Sequence, residues 1–168
     1  MTARAVDGSR EVIDPSARLD ALMDRYEMPL YRYVNAILGN REAAQDCAQD
    51  AFARAYDQLR RGKTVNARWL YTVAHNRAMD EFRRRRRERI VEREQEIGRE
   101  IDLTQGLAIR QAWERLSPQD RSLLHLVAVE SMPAPDIAAT LDISVNAVYM
   151  RVSRARAHLR ALLGENDD

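Results

Sequence analysis

Cysteine is nearly absent from this sequence: Cys47 stands alone among 168 residues, so no internal disulfide can brace the fold. Its neighbours Ala43, Ala44, Ala48 and Ala51 fall at helical spacing, where a small buried thiol is the expected role. Histidine is also scarce. His75, His125 and His158 lie far apart with no metal-ligand spacing, and neither a metal nor a cofactor is expected. No apolar run approaches the roughly 18 residues that a bilayer crossing needs, so membrane insertion is not expected. The first 16 residues, MTARAVDGSREVIDPS, lack the apolar core of a secretory signal; they are expected to be a disordered leader, and the chain to stay in the cytoplasm. A Gly-rich phosphate loop and a nucleophile framed by its base are missing too. His75 and Asp80 could be imagined as base and acid, but at i, i+5 they do not share a helix face, and an enzyme is not expected.

Net charge of one sign is likewise lacking: 27 basic residues oppose 26 acidic ones. The distribution is more informative than the sum. Residues 66–87 hold seven arginines against Asp80 and Glu81, residues 88–103 hold six acids against three arginines, and residues 143–164 hold four arginines and no acid. Two basic blocks separated by an acidic one point to two contacts with a polyanion, joined by a segment that avoids or mimics it.

Period-two alternation with hairpin turn chemistry is not found, whereas apolar steps of three and four recur, so the chain is expected to be all-α. A first helix is expected from about Ala17 to Leu38, bent at Pro29 and ended by Gly39-Asn40. A second, about Arg41 to Leu59, puts Ala44, Ala48, Ala51, Phe52, Ala55, Tyr56 and Leu59 inside and an acidic face with Asp46, Asp50 and Asp57 outside. After a loop at Gly62, Asn66 can cap a third helix whose core stripe is Ala67, Leu70, Ala74, Ala78 and Phe82. Trp69, Val73, Asn76, Asp80 and Arg84 fall on another face. Residues 88–105 read as a charged linker, which makes two small helical domains, 17–87 and 106–164, with a tail at 165–168.

In the second domain a helix from about Gly106 to Leu116 precedes Ser117-Pro118-Gln119-Asp120, an N-cap followed by Pro and an acid in the first turn. A short helix from about Pro135 to Leu141, a turn at Asp142-Ile143 and a Ser144-capped final helix make a helix-turn-helix pattern. Val145, Val148, Val152, Ala155, Leu159 and Leu162 form the expected buried seam. Opposite lie Asn146, Met150, Ser153 and Arg154, flanked by Arg151 on one side and Tyr149 and Arg156 on the other, a surface suited to a DNA groove.

In this order and spacing the segments resemble bacterial RNA polymerase sigma factors of the group IV, extracytoplasmic-function type of the sigma-70 family, over roughly residues 17–162. The resemblance implies a region-two domain that binds core RNA polymerase and opens the minus-ten element, and a region-four helix-turn-helix that reads the minus-thirty-five element. AAQDCAQDAFARAYDQL is similar to the family's core-binding helix, with Asp46, Gln49, Asp50 and Phe52 at its signature positions and Gln45 where an acid is common. These residues would face the beta and beta-prime subunits. ARWLYTVAHNRAMDEFRRRRR is similar to the strand-opening segment, matching at Trp69, Leu70, Ala74, Asn76, Asp80, Arg83 and Arg84. The resemblance implies that Asn76 helps hold a flipped base, with Arg77, Asp80, Arg83 and Arg84 beside it. Trp69 shares that face, and its packing against the preceding helix is weighed above base stacking. In the final helix Ser144, Val148, Arg151, Arg154, Ala155 and Arg156 match the family, while Tyr149 and Met150 replace a basic residue and serine. Ser144, Asn146, Tyr149, Met150, Arg151, Ser153, Arg154 and Arg156 are the expected duplex-reading set, and the promoter sequence stays open. An anti-sigma protein is an implied partner.

Two other readings compete. A free helix-turn-helix regulator would bind duplex DNA without polymerase, yet residues 17–87 form a separate unit with acidic and strand-capturing faces. A sigma-like decoy would bind an anti-sigma factor instead; Gln45 and the altered final helix permit it.

Overall fold

Helix starts and stops follow the local chemistry of the chain. In the computed structural model, which describes residues 14–92 and 105–164, all regular structure among the described residues is helical. α1 spans Pro15–Leu38, α2 Arg41–Arg60, α3 Ala67–Glu92, α4 Gln105–Arg115, α5 Pro118–Ala128, α6 Ala134–Leu141 and α7 Val145–Leu163. Pro15 occupies the first turn of α1, where a missing N–H costs nothing, so residues 15 and 16 are helical and not part of a leader. The helix continues through Pro29 and stops at Gly39, whose φ of 62° is the left-handed cap that glycine takes without strain. The rest of the expected leader and the tail lie outside the described residues.

Side-chain caps begin four of the helices. Asn40 Oδ1 accepts from Ala43 N at 2.9 Å, Asn66 Oδ1 from Trp69 N at 2.9 Å, Ser117 Oγ from Asp120 N at 3.0 Å and Ser144 Oγ from Ala147 N at 3.1 Å. Each is worth about 1 kcal/mol against alanine. α3 runs five residues past the expected boundary at 87, to Glu92. The i, i+4 pair of Arg84 and Glu88, 2.6 Å apart, supports that extension where the composition alone reads as linker. Most of the expected linker, residues 93–104, lies outside the described residues.

α1, α2 and α3 pack on one another, and the alanines Ala43, Ala44, Ala48, Ala51 and Ala55 of α2 are buried, which lets its backbone come close to its neighbours. In the second half α4, α5 and α6 all pack on α7. The halves also pack on each other: α5 and α6 lie against α1 and α3, and a single apolar cluster joins Leu30, Tyr33 and Leu70 to Leu123, Leu126 and Ile137. A smaller cluster of Leu116 just after α4, Leu124 of α5 and Ala155 of α7, with Trp113 of α4 packed against it, ties these three helices together.

This packing changes which faces of α3 are buried. Besides Leu70, Ala74 and Ala78, the side chains of Tyr71, His75, Met79 and Glu81 are inside. The helix therefore has two covered faces, one toward α1 and α2 and one toward α5 and α6. Phe82, expected in the core, is half-buried beneath the Arg121 guanidinium, whose carbon lies 5.7 Å from the ring centre. Val145, expected in the seam of α7, is the first residue of that helix and is 38% exposed.

Candidate nucleic-acid interface

Three surfaces carry the residues singled out from the sequence. On α2, Asp46 and Gln49 are exposed, while Phe52 is buried and holds the helix to its own domain. Asp50 is half-buried, 2.9 Å from Arg54 Nε and 3.8 Å from Arg77 Nε. Ion pairing thus leaves this face less acidic than its composition indicates. A groove runs beside it between α1 and α2, lined by Met23, Met28, Tyr31, Gln45, Gln49 and Phe52. Cys47 lies behind, buried, and its thiol is pushed up to about 11, mainly by burial.

The second surface is the outward side of α3. Asn76, Asp80, Arg83 and Arg84 are exposed there, Arg77 is half-buried, and Trp69 is half-buried against the core cluster. Asp80 accepts from Arg83 Nη1 at 2.9 Å. Beneath this row lies Glu81, the second of the two acids in the arginine-rich block. Its carboxylate accepts from Arg84 Nη2 at 2.6 Å, from Arg84 Nε at 3.1 Å and from Arg85 Nε at 2.8 Å, with Arg77 Nη1 at 3.8 Å. The Arg84 hydrogen bonds are the largest influence on Glu81; against the opposing effect of burial, and helped by Arg85, they hold the carboxyl down at about 2. Glu81 fixes the fork of guanidinium groups along this edge. Spacing could have revealed it, because Arg77, Arg84 and Arg85 stand at i−4, i+3 and i+4.

Between the halves, a buried polar cluster joins three helices. Tyr33 Oη of α1 lies 3.0 Å from His75 Nδ1 of α3 and 2.7 Å from Ser122 Oγ of α5, and His75 Nδ1 is 3.1 Å from that Ser122 oxygen. Burial, with the positive charge of Arg83 adding to it, lowers His75 to about 4, so the ring is neutral near pH 7. Burial likewise raises the Tyr33 hydroxyl and lowers His125, whose Nε2 lies 3.2 Å from Glu130 Oε1. At the periphery Trp113 Nε1 donates to the Ala36 carbonyl at 2.9 Å, and Arg68 faces Asp136 at 3.8 Å. Nothing in the sequence pairs these residues, because Tyr33 and Ser122 are 89 positions apart.

α7 presents the third surface. Ser144 caps it, Val148 and Ala155 anchor it, and Asn146, Tyr149, Met150, Arg151, Ser153, Arg154 and Arg156 are all exposed. Asp142, in the turn from α6, takes a left-handed φ of 53° that sets the angle between the two helices. The two outward faces of α3 and α7 remain open to solvent although the halves are packed together. Among the described residues no helix is long and apolar enough to cross a membrane.

Residues 22–88 match the family described as Sigma-70 region 2, and residues 106–159 match Sigma-70, region 4. The chain is 26% identical over 159 residues to the ECF RNA polymerase sigma factor SigE of Mycolicibacterium smegmatis, covering 88% of this chain and 62% of SigE. It is 28% identical over 144 residues to EcfG of Rhodopseudomonas palustris, covering 80% and 78%, and 27% identical over 164 residues to SigW of Bacillus subtilis, covering 84% and 87%. Among solved structures it is similar to CnrH in complex with the cytosolic domain of CnrY, with a TM-score of 0.69 and 26% identity, covering 92% of each chain. The fold is also that of the sigma factor RpoE in complex with the anti-sigma factor NepR from Bartonella quintana, with a TM-score of 0.71 and 22% identity over 89% of this chain and 99% of that one.

Proposed function

The chain belongs to the extracytoplasmic-function group of the sigma-70 family of RNA polymerase sigma factors, and from that membership we propose how its surfaces divide the work. Asp46, Gln49 and Asp50 on α2 dock on the beta and beta-prime subunits of core RNA polymerase, with Phe52 holding the helix in place. Exposed carboxylates facing a basic surface add orientation and on-rate. Asn76 on α3 hydrogen-bonds the edge of an extruded minus-ten base, while Arg77, Arg83 and Arg84 hold the strand's phosphates. α7 enters the major groove of the minus-thirty-five element. The function is promoter-specific initiation of transcription, exerted in complex with core polymerase.

The observation that carries this reading is the joint exposure of an Asn-and-Arg face on α3 and a capped recognition helix, α7, in one chain. A free duplex-binding regulator has no use for the first. The two promoter elements are read from different halves of the chain, one from α3 and the other from α7. A partner able to hold the halves together or apart, as an anti-sigma factor would, therefore controls access to promoters. RpoE and CnrH in their complexes are similar to this chain, which supports such a partner here.

Chemical probing of unpaired thymines in polymerase–promoter complexes tests the α3 role. Asn76→Ala should leave core binding intact and weaken strand opening; unchanged opening would remove Asn76 from the role.

A further inference from the structure

The first two turns of α7 expose an apolar patch that the fold does not use. Tyr149 is 62% exposed, Met150 57% and Val145 38%, and none of the three belongs to either buried cluster. At 100° per residue Met150 lies near the middle of the outward face beside Asn146 and Ser153, and Tyr149 lies on the flank next to Val145. The same helix carries Arg151, Arg154, Arg156 and Arg160 and no acid, so its charge suits nucleic acid. This patch sits where the leading turns of a recognition helix meet base edges.

Met150 and Val145 have almost no hydrogen-bonding capacity, and Tyr149 has a single hydroxyl, so they cannot make the bidentate contacts that select guanine. One apolar group is displayed on base edges in the major groove, the C5-methyl of thymine. Asn146, on the same face, suits the N6 and N7 edge of adenine. Resting on the assignment of α7 as the upstream reader, we propose that Met150 and Tyr149 are specificity-determining residues that recognise thymine methyl groups, next to an adenine read by Asn146. The upstream element of this sigma factor is accordingly A·T-rich at its centre, and the arginines hold its backbone and outer pairs.

The test uses the full chain assembled with core RNA polymerase and a promoter library randomised only in the upstream element. Transcribed templates should enrich thymine at adjacent pairs. Replacing each enriched thymine by deoxyuridine, which removes only the methyl group, should lower promoter use about fourfold per methyl. Met150→Ala and Tyr149→Ala, both at exposed positions, should lower use of the thymine promoter and erase the difference between thymine and uracil. Enrichment without thymine, equal use of uracil templates, or methyl discrimination surviving in both variants overturns the inference. If uracil is harmless while Arg151→Ala with Arg154→Ala still abolishes upstream selection, α7 remains the reader and only the methyl contact falls. If no α7 variant alters promoter choice, the reader assignment falls with it. Should the Tyr149 and Met150 variants keep promoter choice but release a protein that co-purifies with the wild type, the patch is a protein contact and the inference is overturned.

Discussion

Acid should loosen this protein through His75. The ring is bonded to Tyr33 of α1 and Ser122 of α5, with the His125 ring of α5 tilted against Tyr33 at 5.6 Å between centroids and Arg83 farther along α3 itself. Folding lowers its pKa from 6.5 to about 4. Between those values the unfolded chain binds a proton that the folded chain refuses, so the stabilising effect of the neutral ring is complete above pH 6.5 and is lost as pH falls toward 4. At pH 5.5 the loss is about 1.4 kcal/mol, and the full loss below pH 4 is about 3 kcal/mol. Urea unfolding followed by tryptophan fluorescence measures it, because the Trp113 indole is bonded to the Ala36 carbonyl across the same interface. His125 is lowered by burial as well and contributes with the same sign, so the decisive comparison is with His75→Gln. That variant should start less stable and show a pH dependence shallower by about 1.4 kcal/mol between pH 7.5 and 5.5. Identical pH slopes for the two proteins would refute the burial of His75 at this interface.

Other outcomes are equally specific. Glu81→Gln removes the carboxylate that gathers Arg84 and Arg85; because those arginines are partly solvated, we expect a loss of about 1–2 kcal/mol in urea unfolding and weaker promoter opening than any stability change explains. Ser144→Ala should cost about 1 kcal/mol of stability by removing the cap of α7, measured by thermal unfolding. Arg151→Ala with Arg154→Ala should leave stability within about 0.5 kcal/mol, since both are exposed, and weaken upstream duplex binding by roughly 1–3 kcal/mol per lost base contact.

Much of the fold can be read directly from residues. Asn40, Asn66, Ser117 and Ser144 each precede a helix and each makes the cap bond that its type favours. The alanine stripe of α2 and the helix-turn-helix follow from spacing in the same way. What local pattern could not convey is contact between distant segments. Tyr71, His75 and Met79 recur at i, i+4, a second stripe on α3, yet a stripe containing histidine beside an arginine block reads as solvent-facing until α5 and α6 cover it. Glu81 is a different case: its arginine partners at i−4, i+3 and i+4 are legible in the spacing, and only its burial beneath them required coordinates. Trp69, Asn76 and the arginines of α3 could be placed on a face from their spacing, but how far Asp50 and Arg84 are already engaged by ion pairs required coordinates.

Direction of core polymerase to promoters is the function on which each of these surfaces depends. Its most direct test is assembly of the full chain with bacterial core RNA polymerase, followed by run-off transcription from fragmented genomic DNA of its source organism. Stable assembly and transcript starts absent with core alone are the expected result. Binding of the chain to duplex DNA without any association with core polymerase would contradict the account.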